Sequence, residues 1–322
     1  MTGSDKMKRA GARIILGISL TVVLGLSLVI LFNTNFSGLR KKMFSSKHLY
    51  AILETTFLYV GQGDATVIRD VREGGKVMLI DAGPPGNTGT KTNEEALNAG
   101  RVYVLPYLQK EGISKIDYVV ATHKDKDHIG GLVYILENID VGTVLDNGSS
   151  DITRHHKAMT DILSEKPDIV YRAVSAGELI PFGEDIVCQV IAPLRTYEKT
   201  ENPENNSSVV IRFTVGDVSF ILPGDIEIPA ELDLLSYGKA LRTTVLKAPH
   251  HGSTSSSSIP FLDVVKPEVG VFSCGRYNKY GFPDIEIVRR FEDRGAKIYR
   301  TDKCGNIKII TDGREYRIIK EK

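Results

Sequence analysis

Apolar and polar positions divide the chain into an anchor, a tether and a long alternating region. Ile14 to Phe32 is an uncharged run of 19 residues rich in Leu, Ile and Val, against the ~20 that a helix needs to span a bilayer. Asn33, Thr34, Asn35 and Phe36 follow it in place of a small-x-small cleavage site, so the pattern predicts an uncleaved single-pass anchor rather than a signal peptide. Residues 1–13 form a basic tail before the run and 33–50 a polar, basic tether after it. Positive residues flank both ends, with Arg40, Lys41, Lys42 and Lys47 on the far side, so charge alone does not orient the anchor. The usual behaviour of anchors with basic starts places the rest of the chain outside the cell.

From residue 51 onward the pattern alternates between strand and helix periods. Strands are predicted at Thr55–Arg69, Lys76–Asp81, Ile116–Thr122, Thr143–Leu145, Ile169–Ala173 and Ile186–Ala192. Helices are predicted between them at Asn98–Glu111, Ile129–Asn138 and His156–Lys166. Ser208–Val215 and Val218–Leu222 form a hairpin around Gly216 and Asp217. Helices at Pro229–Ser236, Pro260–Val265 and Pro283–Arg294 then alternate with strands at Thr244–Ala248 and Val269–Ser273. Short strands at Lys297–Tyr299, Ile307–Ile310 and Tyr316–Ile319 close the chain. An antiparallel start followed by strand–helix alternation predicts an α/β domain over 51–322, built from two mixed sheets with helices outside.

Composition narrows the picture little. The 322 residues carry 41 Lys and Arg against 40 Asp and Glu, a formal net charge of +1, so no global basic field advertises nucleic acid. Cys188, Cys274 and Cys304 are far apart and form no metal or redox spacing. They read as small buried residues.

Chemistry concentrates where apolar strands end. Thr122-His123-Lys124-Asp125-Lys126-Asp127-His128-Ile129-Gly130-Gly131 directly follows an apolar strand and places four metal-ligand types within six residues. His123 and Asp125, two apart on extended backbone, point the same way, while Asp127 and His128 diverge as the chain turns into a helix. That arrangement suits two ions sharing one loop. Leu222-Pro223-Gly224-Asp225 and His250-His251-Gly252-Ser253 also end apolar strands, the edge at which α/β folds commonly build their sites. Imidazole nitrogen with carboxylate oxygen suits Zn²⁺ or Mn²⁺. Paired ions of that kind hydrolyse phosphodiesters. His155-His156, beside Arg154 and Lys157, reads instead as a solvated helix cap. Residues 252–258 offer hydroxyl and N–H donors to a phosphate or form a polar lid, with Ser258 capping the next helix. Arg276-Tyr277-Asn278-Lys279-Tyr280 interleaves cations with aromatics, as a contact to single-stranded nucleic acid does.

The order His-x-Asp-x-Asp-His-x-Gly-Gly, then Gly-Asp, then Pro-His-His-Gly-Ser resembles the metallo-β-lactamase superfamily. Residues 57–65 (FLYVGQGDA), 79–83 (LIDAG), 205–208 (NNSS), 246–253 (LKAPHHGS) and 278–281 (NKYG) are similar to the extracellular hydrolase domain of ComEC-type competence proteins. The resemblance implies an αββα sandwich and one or two divalent ions. It implies metal ligation by His123, Asp125, Asp127, His128, Asp225 and His250, with Asp225 bridging and with Asp127, His128 and His250 acting in catalysis. Asp64, Asp81, Asn205, Asn206, His251 and Ser253 would support the ligands or meet substrate. Asp125 stands where the wider superfamily has His, Asn205 and Asn206 where many relatives have another ligand His, and Phe282 where similar sequences often have His. Tyr59 replaces a family Asp.

These features together imply a membrane-anchored, extracytoplasmic phosphodiesterase acting on DNA by attack of a metal-bound hydroxide. Its partners are nucleic acid or another phosphodiester, and the membrane. Two rivals share the residues: a hydrolase of a cell-wall phosphodiester or small ester, and a degenerate binding protein.

Overall fold

Strands whose residues alternate between two apolar environments can only form layers, and this chain does so twice. The computed structural model describes residues 50–86, 98–150 and 152–322. The first sheet contains β1 (Leu53–Phe57), β2 (Thr66–Asp70), β3 (Val77–Ile80), β4 (Lys115–Val120), β5 (Asp140–Asp146) and β6 (Val170–Ala173). The second holds β7 (Leu179–Gly183), β8 (Ile186–Ala192), β9 (Val210–Val215), β10 (Val218–Leu222), β11 (Val245–Lys247), β12 (Val269–Phe272) and β13 (Lys297–Arg300). The chain returns to the first sheet with β14 (Ile307–Thr311) and β15 (Tyr316–Lys320), giving the order β15-β14-β1-β2-β3-β4-β5-β6.

Each sheet is mixed. β1, β2 and β3 are antiparallel and β3 to β6 parallel. In the second sheet β7 to β10 are antiparallel and β10 to β13 parallel. Phe57, Met78 and Val120 of the first sheet pack with Phe213, Phe220 and Val245 of the second in one shared core. Their neighbours point the other way: Leu79 and Val119 pack under Leu108, Leu132 and Met159, and Ile221 and Leu246 under Leu234, Phe261 and Phe291. Burial on both faces explains why β3 and β12 read as continuous apolar runs. The expected sandwich of two mixed sheets between helices is therefore what the chain forms.

Local differences matter for the site. The single strand expected at Thr55–Arg69 is two antiparallel strands, because Gly61 and Gly63 adopt positive φ and turn the chain between them. β7, which lacked an expected counterpart, pairs with β8 and carries Pro181 between apolar positions. His156 is buried against Asp146, with Nε2 3.3 Å from its Oδ2, rather than solvated. The expected anchor and the tether as far as Leu49 lie outside the described residues. Among the described residues no helix is long and apolar enough to cross a membrane.

Candidate metal centre

Parallel strands all present their C-terminal ends to one edge, and the loops leaving β3, β4, β10 and β11 meet there. Asp81 follows β3 with φ 58°, a left-handed conformation that costs a non-glycine residue free energy and recurs at functional sites. Its carboxylate accepts the Thr122 N–H at 2.9 Å and the Thr122 hydroxyl at 2.7 Å. It also accepts the Nδ1–H of His128 at 2.7 Å. Having given its proton to Asp81, the Thr122 hydroxyl accepts from His123 Nδ1 at 3.0 Å. His251 donates its Nδ1–H to the Ser273 carbonyl at 3.0 Å.

Three imidazoles thus spend Nδ1–H on fixed acceptors and turn the Nε2 lone pair inward. His128 Nε2 lies 3.2 Å from Asp225 Oδ2. His251 Nε2 lies 3.3 Å from the same oxygen and 3.5 Å from Asp127 Oδ2. His123 Nε2 lies 3.6 Å from Asp125 Oδ2. All three Nε2 atoms are buried without a hydrogen bond, each turned toward a carboxylate oxygen. Buried polar atoms are normally satisfied, and acceptors facing acceptors call for a cation between them.

The electrostatics agree. Burial pushes the Asp225 carboxyl up, but His128, His251 and His250 outweigh it and hold it well below the usual carboxylate range. Burial pushes Asp127 up as well, yet His251 and His128 bring it down to about 2. His128 and His251 are driven down by burial and, more strongly, up by the carboxylates, Asp225 and Asp81 for the first and Asp225 and Asp64 for the second. The pocket demands positive charge. Ligand atoms of His123, His128 and Asp225 lie within 4.8 Å of one another, as do those of Asp127, His128 and His251, so the residues present fit one or two divalent ions.

The structure distributes the sequence-derived candidates unequally. His123, His128, Asp127 and Asp225 converge. Asp125 flanks His123 but is half-exposed. Of the adjacent pair, it is His251, expected to support the ligands or meet substrate, that faces the cluster. His250, expected as a ligand, has Nε2 3.9 Å from Asp225 Oδ2 and Nδ1 against Glu227 and the Ser255 hydroxyl. Both adopt positive φ, 48° and 55°, and this backbone bend decides which ring turns inward. Asn205 and Asn206 do not reach the cluster. Asn206 Oδ1 accepts the Glu227 and Ala230 N–H groups, and Asn205 Nδ2 donates to Glu227 at 3.5 Å. Ser253 Oγ accepts from the Ser255 N–H and so braces the hydroxyl beside His250. Residues 256–258 are buried, not a lid, and the Ser257 and Ser258 N–H groups donate to Glu231 rather than standing free for phosphate. Ser258 does cap its helix.

Sequence reasoning missed Lys247, Glu227 and Glu231. Lys247 ends the apolar β11 and its ammonium contacts Asp64, lies 3.7 Å from Asp225 Oδ1 and donates to the Gly224 carbonyl at 3.2 Å. Burial pushes its pKa down, but Asp64 and Asp225 hold it above the usual lysine value. A lysine closing an otherwise apolar strand was the available signal. Asp64 arrives on the loop between β1 and β2, whose Gly63 runs so close to the next loop that a Cβ would sit 2.2 Å from the Asp127 carbonyl oxygen.

Comparison with known proteins places this geometry. Residues 58–276 match the family described as the metallo-beta-lactamase superfamily. The chain is 26% identical over 259 residues to ComE operon protein 3 of Bacillus subtilis, covering 79% of this chain and 32% of that protein. It is 28% identical over 250 residues to competence protein ComA of Neisseria gonorrhoeae, covering 77% of this chain and 31% of that protein. It therefore spans about a third of the length of these curated relatives. Among solved structures it is similar to Igni18, a metallo hydrolase from the archaeon Ignicoccus hospitalis, with TM-score 0.48, 16% identity and coverage of 84% of this chain and 100% of that one. With a matching segment that runs through every loop contributing to the cluster except that of Phe282, the chain belongs to the metallo-β-lactamase superfamily.

Proposed function

We propose that the chain is a metal-dependent phosphodiesterase that cleaves DNA, held at the outer cell surface by the apolar run Ile14 to Phe32. One observation carries the catalytic part: three buried imidazole Nε2 atoms and the Asp225 carboxylate face one another without hydrogen bonds. Asp127, His128, Asp225 and His251 would hold one ion, and His123, Asp125 and Asp225 a second, with Zn²⁺ and Mn²⁺ both suited to the donor set. When bound, such ions acidify a water and neutralise charge building up on phosphate oxygens.

The remaining work falls to the chain's own side chains. Asp81 and Thr122 fix the tautomers of His128 and His123, a positioning effect commonly worth 10- to 100-fold in metal affinity or activity. Lys247 holds Asp64 and Asp225 in place and offsets part of their charge. His250, oriented by Glu227 and Ser255 and more exposed than His251, is placed to contact a phosphate oxygen or to hold a proton for the departing one. Relatives named for competence in Neisseria gonorrhoeae and for recombination in Haemophilus influenzae favour nucleic acid as the polymer.

The test is cleavage of single- and double-stranded DNA by the purified chain with Mn²⁺ or Zn²⁺, beside a generic phosphodiester. DNA cleavage that falls about 10³-fold in Asp127→Ala, the order expected for losing several kcal/mol of metal-centred stabilisation, supports the proposal. Cleavage of the generic ester alone points to another phosphodiester. An Asp127→Ala variant as fast as the wild type contradicts the site.

A further inference from the structure

The segment 276–283 carries two cations, three aromatic rings and no acidic residue, and it leans directly on the metal centre. The Phe282 ring stacks on His251 with centroids 6.3 Å apart and an interplanar angle of 28°. Tyr280 stacks on Phe282 in turn, at 5.5 Å and 14°. The rings thus lead from the cluster to solvent, where Tyr280 is half-exposed and Tyr277 fully so. Lys279 Nζ sits 5.0 Å from the centre of the Tyr280 ring, and the Arg276 guanidinium 5.7 Å from that of Tyr59.

This surface is braced rather than loose. Asn278 Oδ1 accepts the Phe282 N–H at 2.9 Å, and its Nδ2 donates to the Gly275 and Phe282 carbonyls. Arg276 Nε donates to the Asp302 carbonyl. The Asp284 N–H donates to the Gly252 carbonyl, which ties the segment to the loop that carries His251. A braced tyrosine left open to water buries no core, but it supplies a ready π-face.

We propose that Tyr280, backed by Phe282, forms a nucleobase-stacking subsite, with Lys279 and Arg276 meeting the neighbouring phosphates, so that the preferred substrate is an unpaired strand. The inference rests on the phosphodiesterase reading and narrows it. In a duplex the faces of each base are covered by its neighbours, and only an unpaired or flipped nucleotide can offer one. Stacking accepts every base, because each has a π-face. Since Phe282 links Tyr280 to His251, a base on Tyr280 belongs to a nucleotide close to the scissile phosphate.

The test uses the full chain with its metal and short single-stranded oligonucleotides, either complete or abasic near the cleaved bond. Tyr280→Leu should raise KM for the complete strand about tenfold, the scale of one lost base stack. Tyr280→Phe should restore it, and the abasic strand should not distinguish the three proteins. A 2-aminopurine placed near the cleaved bond should be quenched on binding in EDTA by wild type and Tyr280→Phe but not by Tyr280→Leu, a clean signal because the chain has no Trp. DNA cleavage that depends on Asp127 but is indifferent to Tyr280, or a Tyr280→Leu loss equal on both strands, overturns the subsite and leaves the phosphodiesterase intact. A wild-type chain that neither cuts nor binds DNA overturns both.

Discussion

In the proposed assignment Asp127, His128 and His251 join Asp225 around one ion and His123 and Asp125 join it around the other, and the two sides are built to different standards. His128 and His251 are buried, and each Nδ1–H is clamped, one by a carboxylate and the other by a carbonyl. His123 is equally buried, but its partner Asp125 is 51% exposed. The asparagines that could have completed this second side turn away to hold Glu227. A caged ligand set loses little entropy on binding an ion, whereas an exposed one must be ordered and competes with water. In the proposed function the two positions therefore bind unequally, with the tighter ion on the His251 side.

Asp225 is the ligand that both sides share in the proposed assignment. Asp225→Asn removes charge from both sides, so hydrolysis should fall by about 10³-fold or more and both ions should weaken, as metal analysis after dialysis would reveal. The neighbouring histidines differ in what they should cost. His251→Ala should cost nearly as much and release the tighter ion, while His250→Ala should lower kcat and leave metal content near wild type. Equal metal loss in both variants would mean that the turn at positions 250 and 251 does not separate their parts. The smallest effect belongs to the open side. His123→Ala should weaken the looser ion and lower activity less than His251→Ala does, with little change in melting temperature.

Much of the architecture was legible because strands buried on both faces announce themselves as apolar runs, and the chemistry follows them directly: Asp81 after β3, His123 after β4, Asp225 after β10 and His251 after β11. The loop 58–65 was not, since Leu58, Tyr59 and Val60 continue an apolar pattern and only the positive φ at Gly61 and Gly63 ends it. Nor did spacing reveal which of His250 and His251 faces inward, because two adjacent residues on a left-handed bend break the usual alternation. Lys247, Glu227 and Glu231 acquire their parts through contacts that bring separate loops together, and a one-dimensional pattern carries no trace of such contacts.

The most direct test of the account is a metal titration of the purified full chain after chelation, followed by calorimetry and mass spectrometry, on wild type, His251→Ala and His123→Ala. Two unequal binding steps are predicted, the tighter one missing in His251→Ala and the weaker one missing in His123→Ala. Failure of the wild type to bind any divalent ion, or equal steps that both variants diminish alike, would contradict a metal centre organised around Asp225.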